Sequence, residues 1–196
     1  MREIMWPMQP PGGAFLIGIG AGIAVGAGAL AATGALQTFV APMLAGAAAG
    51  AAFLVAARIW GSGRFGRPSR PQVLALIVAI ALEITIFWGL SATGRFAVWD
   101  ERTGMSTALA VVAAHFLVMR LSHGPPMLWL GVLALAWIGL SDLLRLPLAL
   151  LVLGDGLLKA GVEAAMARPI FIGMRAAGNP YPAEAGVSGR SPAGSI

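Results

Sequence analysis

Apolar residues fall into six blocks along the chain, at 14–32, 38–60, 71–93, 104–119, 127–140 and 146–167. Short stretches rich in Gly, Pro, Ser or Arg divide them. Blocks of this length read as membrane-spanning helices. The fourth and fifth are short: residues 127–140 rise about 21 Å as a helix. Flanking residues must complete their crossing of a hydrocarbon core roughly 30 Å thick. A cleaved signal peptide competes for the first block, which follows Arg2 and ends in alanines. Its apolar stretch exceeds the usual signal core, so it is read as a membrane helix. The pattern predicts an all-α integral membrane bundle of about six transmembrane helices, filling 14–168. A Pro-rich lead at 1–13 precedes it, and a cytoplasmic, largely disordered tail at 169–196 follows.

Composition sharpens this picture. The chain has 196 residues, 58% hydrophobic and only 11% charged, with mean hydropathy +0.84. A water-soluble domain carries about a quarter of its residues charged, so this chain needs lipid around it. The net charge of +5 would suggest nucleic acid in a soluble protein. Here the basic residues flank apolar blocks instead of forming a compact basic face, and nucleic acid is excluded as a partner. With six spans, one side of the membrane receives Arg2, Arg58, Arg64, Arg67, Arg70, Arg120, Arg168, Arg175 and Arg190. The other receives Arg95, Arg102 and Arg145. By the positive-inside rule both termini lie inside (N-in/C-in). Arginine over lysine and abundant Ala and Gly fit a GC-rich bacterial genome, hence a bacterial cytoplasmic membrane. Arg64, Arg67 and Arg70 beside the bilayer are candidate contacts for anionic lipid, although a topology signal is the better explanation of them.

Two features organise the interior. Gly18, Gly22 and Gly26 recur every four residues in the first block, and Gly46 and Gly50 repeat that spacing in the second. Small residues at this spacing let two helix backbones approach closely, so the first two spans read as a tight hairpin. Such a stripe also serves homo- or hetero-oligomers. In the last block, Asp155, Lys159 and Glu163 recur at four-residue spacing inside apolar sequence. They share one helix stripe and must face protein, water or each other, because lipid does not solvate them. Glu83 in the third block and His115 in the fourth are the available partners. Helical rise from the inner end of each span puts Glu83 roughly 18 Å deep, level with Asp155 and Lys159. His115 and Glu163 come out level with each other at roughly 8 Å. The expectation is a polar line in which Glu83 approaches Lys159, while Asp142 and Arg145 pair in the turn before the last span. His123, beside Gly124-Pro125-Pro126, reads as interfacial.

Catalytic and metal chemistry find little support. There is no HExxH, GxSxG or Walker loop. His115 and His123 lie eight positions apart without a third ligand, poor geometry for zinc. The absence of cysteine removes thiolate sites and disulfides. No cofactor and no metal is expected, and no catalytic residue is identified.

The segments AHFLVMRLSHGPPMLWLGVL at 114–133 and LGDGLLKAGVE at 153–163 resemble a family of small, uncharacterised bacterial multi-pass membrane proteins, a domain of unknown function. The resemblance rests on a His-containing helix leading into a His-Gly turn, here His115 and His123-Gly124. A later Asp-x-x-x-Lys element, here Asp155 and Lys159, completes it. It implies a multi-pass fold and no known activity. Two functional readings follow from the residues. The first is a transport-like or small-ligand and proton-responsive protein using Glu83, His115, Asp155, Lys159 and Glu163. The alternative is a structural or assembly subunit that packs through its small-residue faces. A water-filled cavity at Glu83 and Lys159 favours the first, and glycine stripes left facing outward favour the second.

Overall fold

The computed structural model describes residues 9–60 and 68–177. Among them the chain forms α1 (Gln9–Thr33), α2 (Gln37–Trp60), α3 (Arg70–Ala92), the single turn α4 (Arg95–Val98), α5 (Glu101–His123), α6 (Pro125–Leu143) and α7 (Leu148–Ala177). Five helices, α1 to α3, α5 and α6, are long and apolar enough to cross a membrane. The sixth, α7, is 30 residues long and carries the three charged residues of the polar stripe. The described residues are thus all-helical, an arrangement compatible with a membrane bundle.

Element ends move outward from the predicted blocks, each for a local reason. Pro10 and Pro11 fall in the first turn of α1, where the missing amide hydrogen costs nothing, so helix begins inside the predicted lead. Asp100 caps α5 by accepting a hydrogen bond from the Thr103 amide at 2.7 Å, which starts that helix three residues early. At its far end Gly124 takes φ 89°, a conformation that side chains disfavour, and Pro125 opens α6 directly after it. The predicted short spans therefore become helices of 23 and 19 residues. α7 runs past Arg168 and Pro169 to Ala177, so the predicted tail boundary at 169 falls within helix.

Just past the Leu144 cap of α6, Arg145 takes φ 51°, which places a non-glycine residue in the left-handed region. The Leu146 amide donates back to the Ser141 carbonyl at 2.9 Å, closing the turn. Asp142 does not pair with Arg145, because Arg102 from α5 reaches it first. The Arg102 guanidinium lies 2.9 Å from the Asp142 carboxylate. It also donates to the Ser141 carbonyl at 2.7 Å and to the Leu146 carbonyl, while the Ser106 hydroxyl donates to Asp142 at 3.0 Å. One arginine thus fastens the α6–α7 turn to the start of α5.

α1 is the hub, packed on α2 by one face and on α7 by another, while α3 packs on α5, α5 on α6, and α6 on α7. Glycine makes both α1 faces possible. A Cβ on Gly18 would meet the Gly50 Cα at 2.5 Å, and one on Gly46 would meet the Gly22 Cα at 2.6 Å. A Cβ on Gly26 would strike the Phe39 ring at 2.6 Å. On the other face, Gly20 abuts the Ala160 amide and Gly156 the Ala24 amide, with room for no side chain at either. The neighbouring atoms are largely backbone and cannot rotate away.

Candidate functional site

α7 turns its charged stripe inward. Asp155 and Glu163 have no exposed surface and Lys159 keeps 2%. The Lys159 ammonium binds the Asp155 carboxylate one turn before it. The second Asp155 oxygen and both Glu163 oxygens lack a hydrogen-bond partner among the described residues. An ammonium has three N–H donors, and among the described residues Asp155 is the hydrogen-bond acceptor of Lys159. Its other neighbour is the Phe116 ring, whose centroid lies 5.9 Å away, at the outer reach of a cation–π contact.

Glu83 is not the partner of Lys159. Its carboxylate accepts from His115 Nδ1 at 2.8 Å, and the same nitrogen lies 3.1 Å from the Ala79 carbonyl. Both acceptors require the proton on Nδ1, and Nε2 lies 2.7 Å from the Met119 sulfur. The depth estimate paired the wrong residues because it ended the fourth span near residue 119. With α5 running to His123, His115 lies about 12 Å from the helix end, roughly 4 Å further in than the count from Arg120 gave and nearer the depth of Glu83. It leaves Glu163 without His115. The packing order explains the rest: α3 lies on α5 and not on α7.

His123 is the residue that sequence reasoning misplaced. It is 4% exposed, and its Nδ1 lies 2.8 Å from the Ser122 hydroxyl, which itself donates to the Met119 carbonyl. The Cδ2–Nε2 edge of the ring lies against Gly12, where a Cβ would meet it at 2.5 Å. The signal was available in the two consecutive glycines at 12 and 13, which make a landing place for a ring once α1 is known to start at Gln9.

These groups share one cavity of about 920 Å³. Its walls come from α1, α2, α3 and α5, with Lys159 alone from α7. Glu83, His115, His123 and Lys159 are the ionisable members of an otherwise apolar lining that includes Ile19, Met43, Phe87, Met105 and Leu109. Asp155 and Glu163 lie behind this wall, and Asp155 reaches the cavity only through Lys159. Among the described residues no three His, Asp or Glu side chains converge as a metal ion requires. Arg64 and Arg67 lie outside the described residues; Arg70 is exposed at the start of α3.

The arrangement can hold a small molecule and engage it with an ammonium and two imidazoles. Apolar cavities with a few convergent polar groups are the usual form of ligand sites. Compared with known proteins, residues 2–168 match the model of a family described as "Family of unknown function (DUF6609)". No curated protein and no solved structure matches the chain.

Proposed function

We propose that this chain, which belongs to the family of unknown function DUF6609, binds a small molecule within the membrane in a transport-like or sensing role. The cavity carries this reading. It joins Glu83, His115 and Lys159, which the sequence singles out for their charge, with His123, which it does not. Charged groups inside a membrane are costly and concentrate where substrates or ions are handled. The glycine stripes support it from the other side: Gly18, Gly22 and Gly26 are spent on α2 within the chain, which weakens the case for an assembly subunit. The arginine distribution and composition support a bacterial inner membrane with both termini inside.

The test uses the full chain in nanodiscs, released into native mass spectrometry beside the cavity-filling variant Ala108→Trp. Wild type should retain small-molecule adducts that the variant loses, with both proteins equally helical. Equal adduct patterns on the two proteins would remove the support for a ligand cavity.

A further inference from the structure

We propose that the occupant is a single-chain amphiphile with an anionic, oxygen-bearing head at Lys159 and its tail laid along α5 toward Met105; this rests on the reading of the cavity as a ligand site. Shape comes first. α5 lines the cavity from Met105 to His123, a rise of roughly 27 Å. Spread over that length, the volume leaves a mean cross-section of roughly 34 Å². Carbon atoms in contact lie about 3.5–4.0 Å apart, so a slot roughly 6 Å wide takes an extended hydrocarbon chain.

Chemistry divides the slot lengthwise. From Met105 to Val112 the wall is apolar, faced by Phe39, Met43 and Phe87. From His115 to His123 it carries every ionisable group. Lys159 turns its ammonium to that half with one N–H given to Asp155, whose second oxygen lies with Glu163 behind the wall, and Glu83, the carboxylate in the lining, already accepts from His115. A buried ammonium with unmet donors is satisfied by a carboxylate or phosphate oxygen, through the stronger, charge-assisted kind of hydrogen bond.

Access fits the same ligand. α2 packs on α1 and α3 on α5, and both contribute residues to the cavity lining. Among these, Val55, Ile59 and Ile80 are 57%, 65% and 43% exposed. Both helices are long and apolar enough to cross a membrane, so an opening between them would give onto the bilayer, where an amphiphile resides.

The test is photo-crosslinking of the full chain in nanodiscs with a fatty acid bearing a diazirine near its methyl end, the adducts mapped by mass spectrometry. Adducts are expected on Phe39, Met43, Met105 and Ala108. Palmitate or hexadecyl phosphate should compete about tenfold better than hexadecyltrimethylammonium of the same chain, and octanoate should compete poorly. Whichever head wins identifies carboxylate or phosphate. The double variant D155L/K159M, which replaces the buried pair by apolar side chains, should keep the labelling and lose the preference for the anion. Equal competition by acid, alcohol and ammonium would overturn the amphiphile assignment while leaving the ligand cavity standing. Failure of both the fatty acid and a neutral alkyl diazirine to label any cavity residue would overturn the cavity reading itself.

Discussion

Removing Lys159 alone and removing it together with Asp155 should have opposite consequences. In Lys159→Met the Asp155 carboxylate stays fully buried with neither oxygen bonded, since its second oxygen has no partner even in the wild type. Breaking a buried pair from one side costs about 3–5 kcal/mol. Replacing both members by apolar residues of similar volume is about neutral, or stabilising by up to ~4 kcal/mol. Both residues lie on α7, so the pair persists when that helix separates from α1 within a membrane. The damage in the single variant should therefore begin at insertion, where an uncompensated Asp at mid-helix adds about 2.5–3.5 kcal/mol. Glycosylation mapping of α7 insertion, followed by unfolding in mixed detergent and SDS micelles, reads the two stages separately. The expected order of stability is double variant, equal to or above wild type, then Lys159→Met far below. A double variant as damaged as the single one would refute the reasoning, because the loss would then belong to a specific contact of Lys159 and not to an orphaned carboxylate.

Gly46→Ala should separate α1 from α2, since the new methyl would meet the Gly22 backbone, at an overpacking cost of about 1–3 kcal/mol; Gly28→Ala, with open space around it, should not. The chain has no native cysteine, so disulfide trapping between single cysteines placed on α1 and α2 reads the spacing cleanly. Arg102→Lys should lose the three-way hold on Asp142, Ser141 and Leu146, because an ammonium cannot reproduce the planar fork. Hydrogen exchange across the α6–α7 turn should then accelerate, with α3 unaffected as a control. Asp100 is held below its ordinary carboxyl value of 3.8 by Thr103, side chain first and then backbone amide, with help from the Arg102 charge. A carboxyl whose folded value is depressed stabilises above its unfolded value and loses that contribution as pH falls through the folded one. The first turn of α5 should therefore begin to fray below about pH 3.8. Asp100→Asn should abolish that pH dependence in the exchange of the Thr103 amide.

The helices and their small-residue contacts were legible because both depend on short-range spacing. Six apolar blocks gave six long helices, and glycines four apart met their counterparts across the hairpin. Which charges meet was not legible, because it depends on packing order. Nothing in the spacing of residues says that α3 lies on α5, and that fact decides that Glu83 finds His115 and not Lys159. A small error in a helix end then propagated into depth, since four residues are a full turn. His123 was hidden by a Gly-Pro-Pro sequence that usually marks a surface turn. Here it is buried by α1, which begins further upstream than its apolar block.

The contact between α1 and α7 sets a schedule for biogenesis. α1 is made first, and its second glycine face, Gly13 and Gly20, has nothing to close upon until α7 emerges with Gly156 and Ala160. All of α2 to α6 is synthesised in between, on the order of ten seconds at ordinary translation rates. Throughout that interval α1 lacks the cover that α7 gives this face in the finished bundle. α7 arrives last, carrying the polar stripe, and is sheltered from lipid by the helix that has waited longest. A chain terminated before α7 would keep α1 permanently uncovered on that face, so truncated products should be recognised and degraded even though α1 to α3, α5 and α6 are each apolar enough to insert.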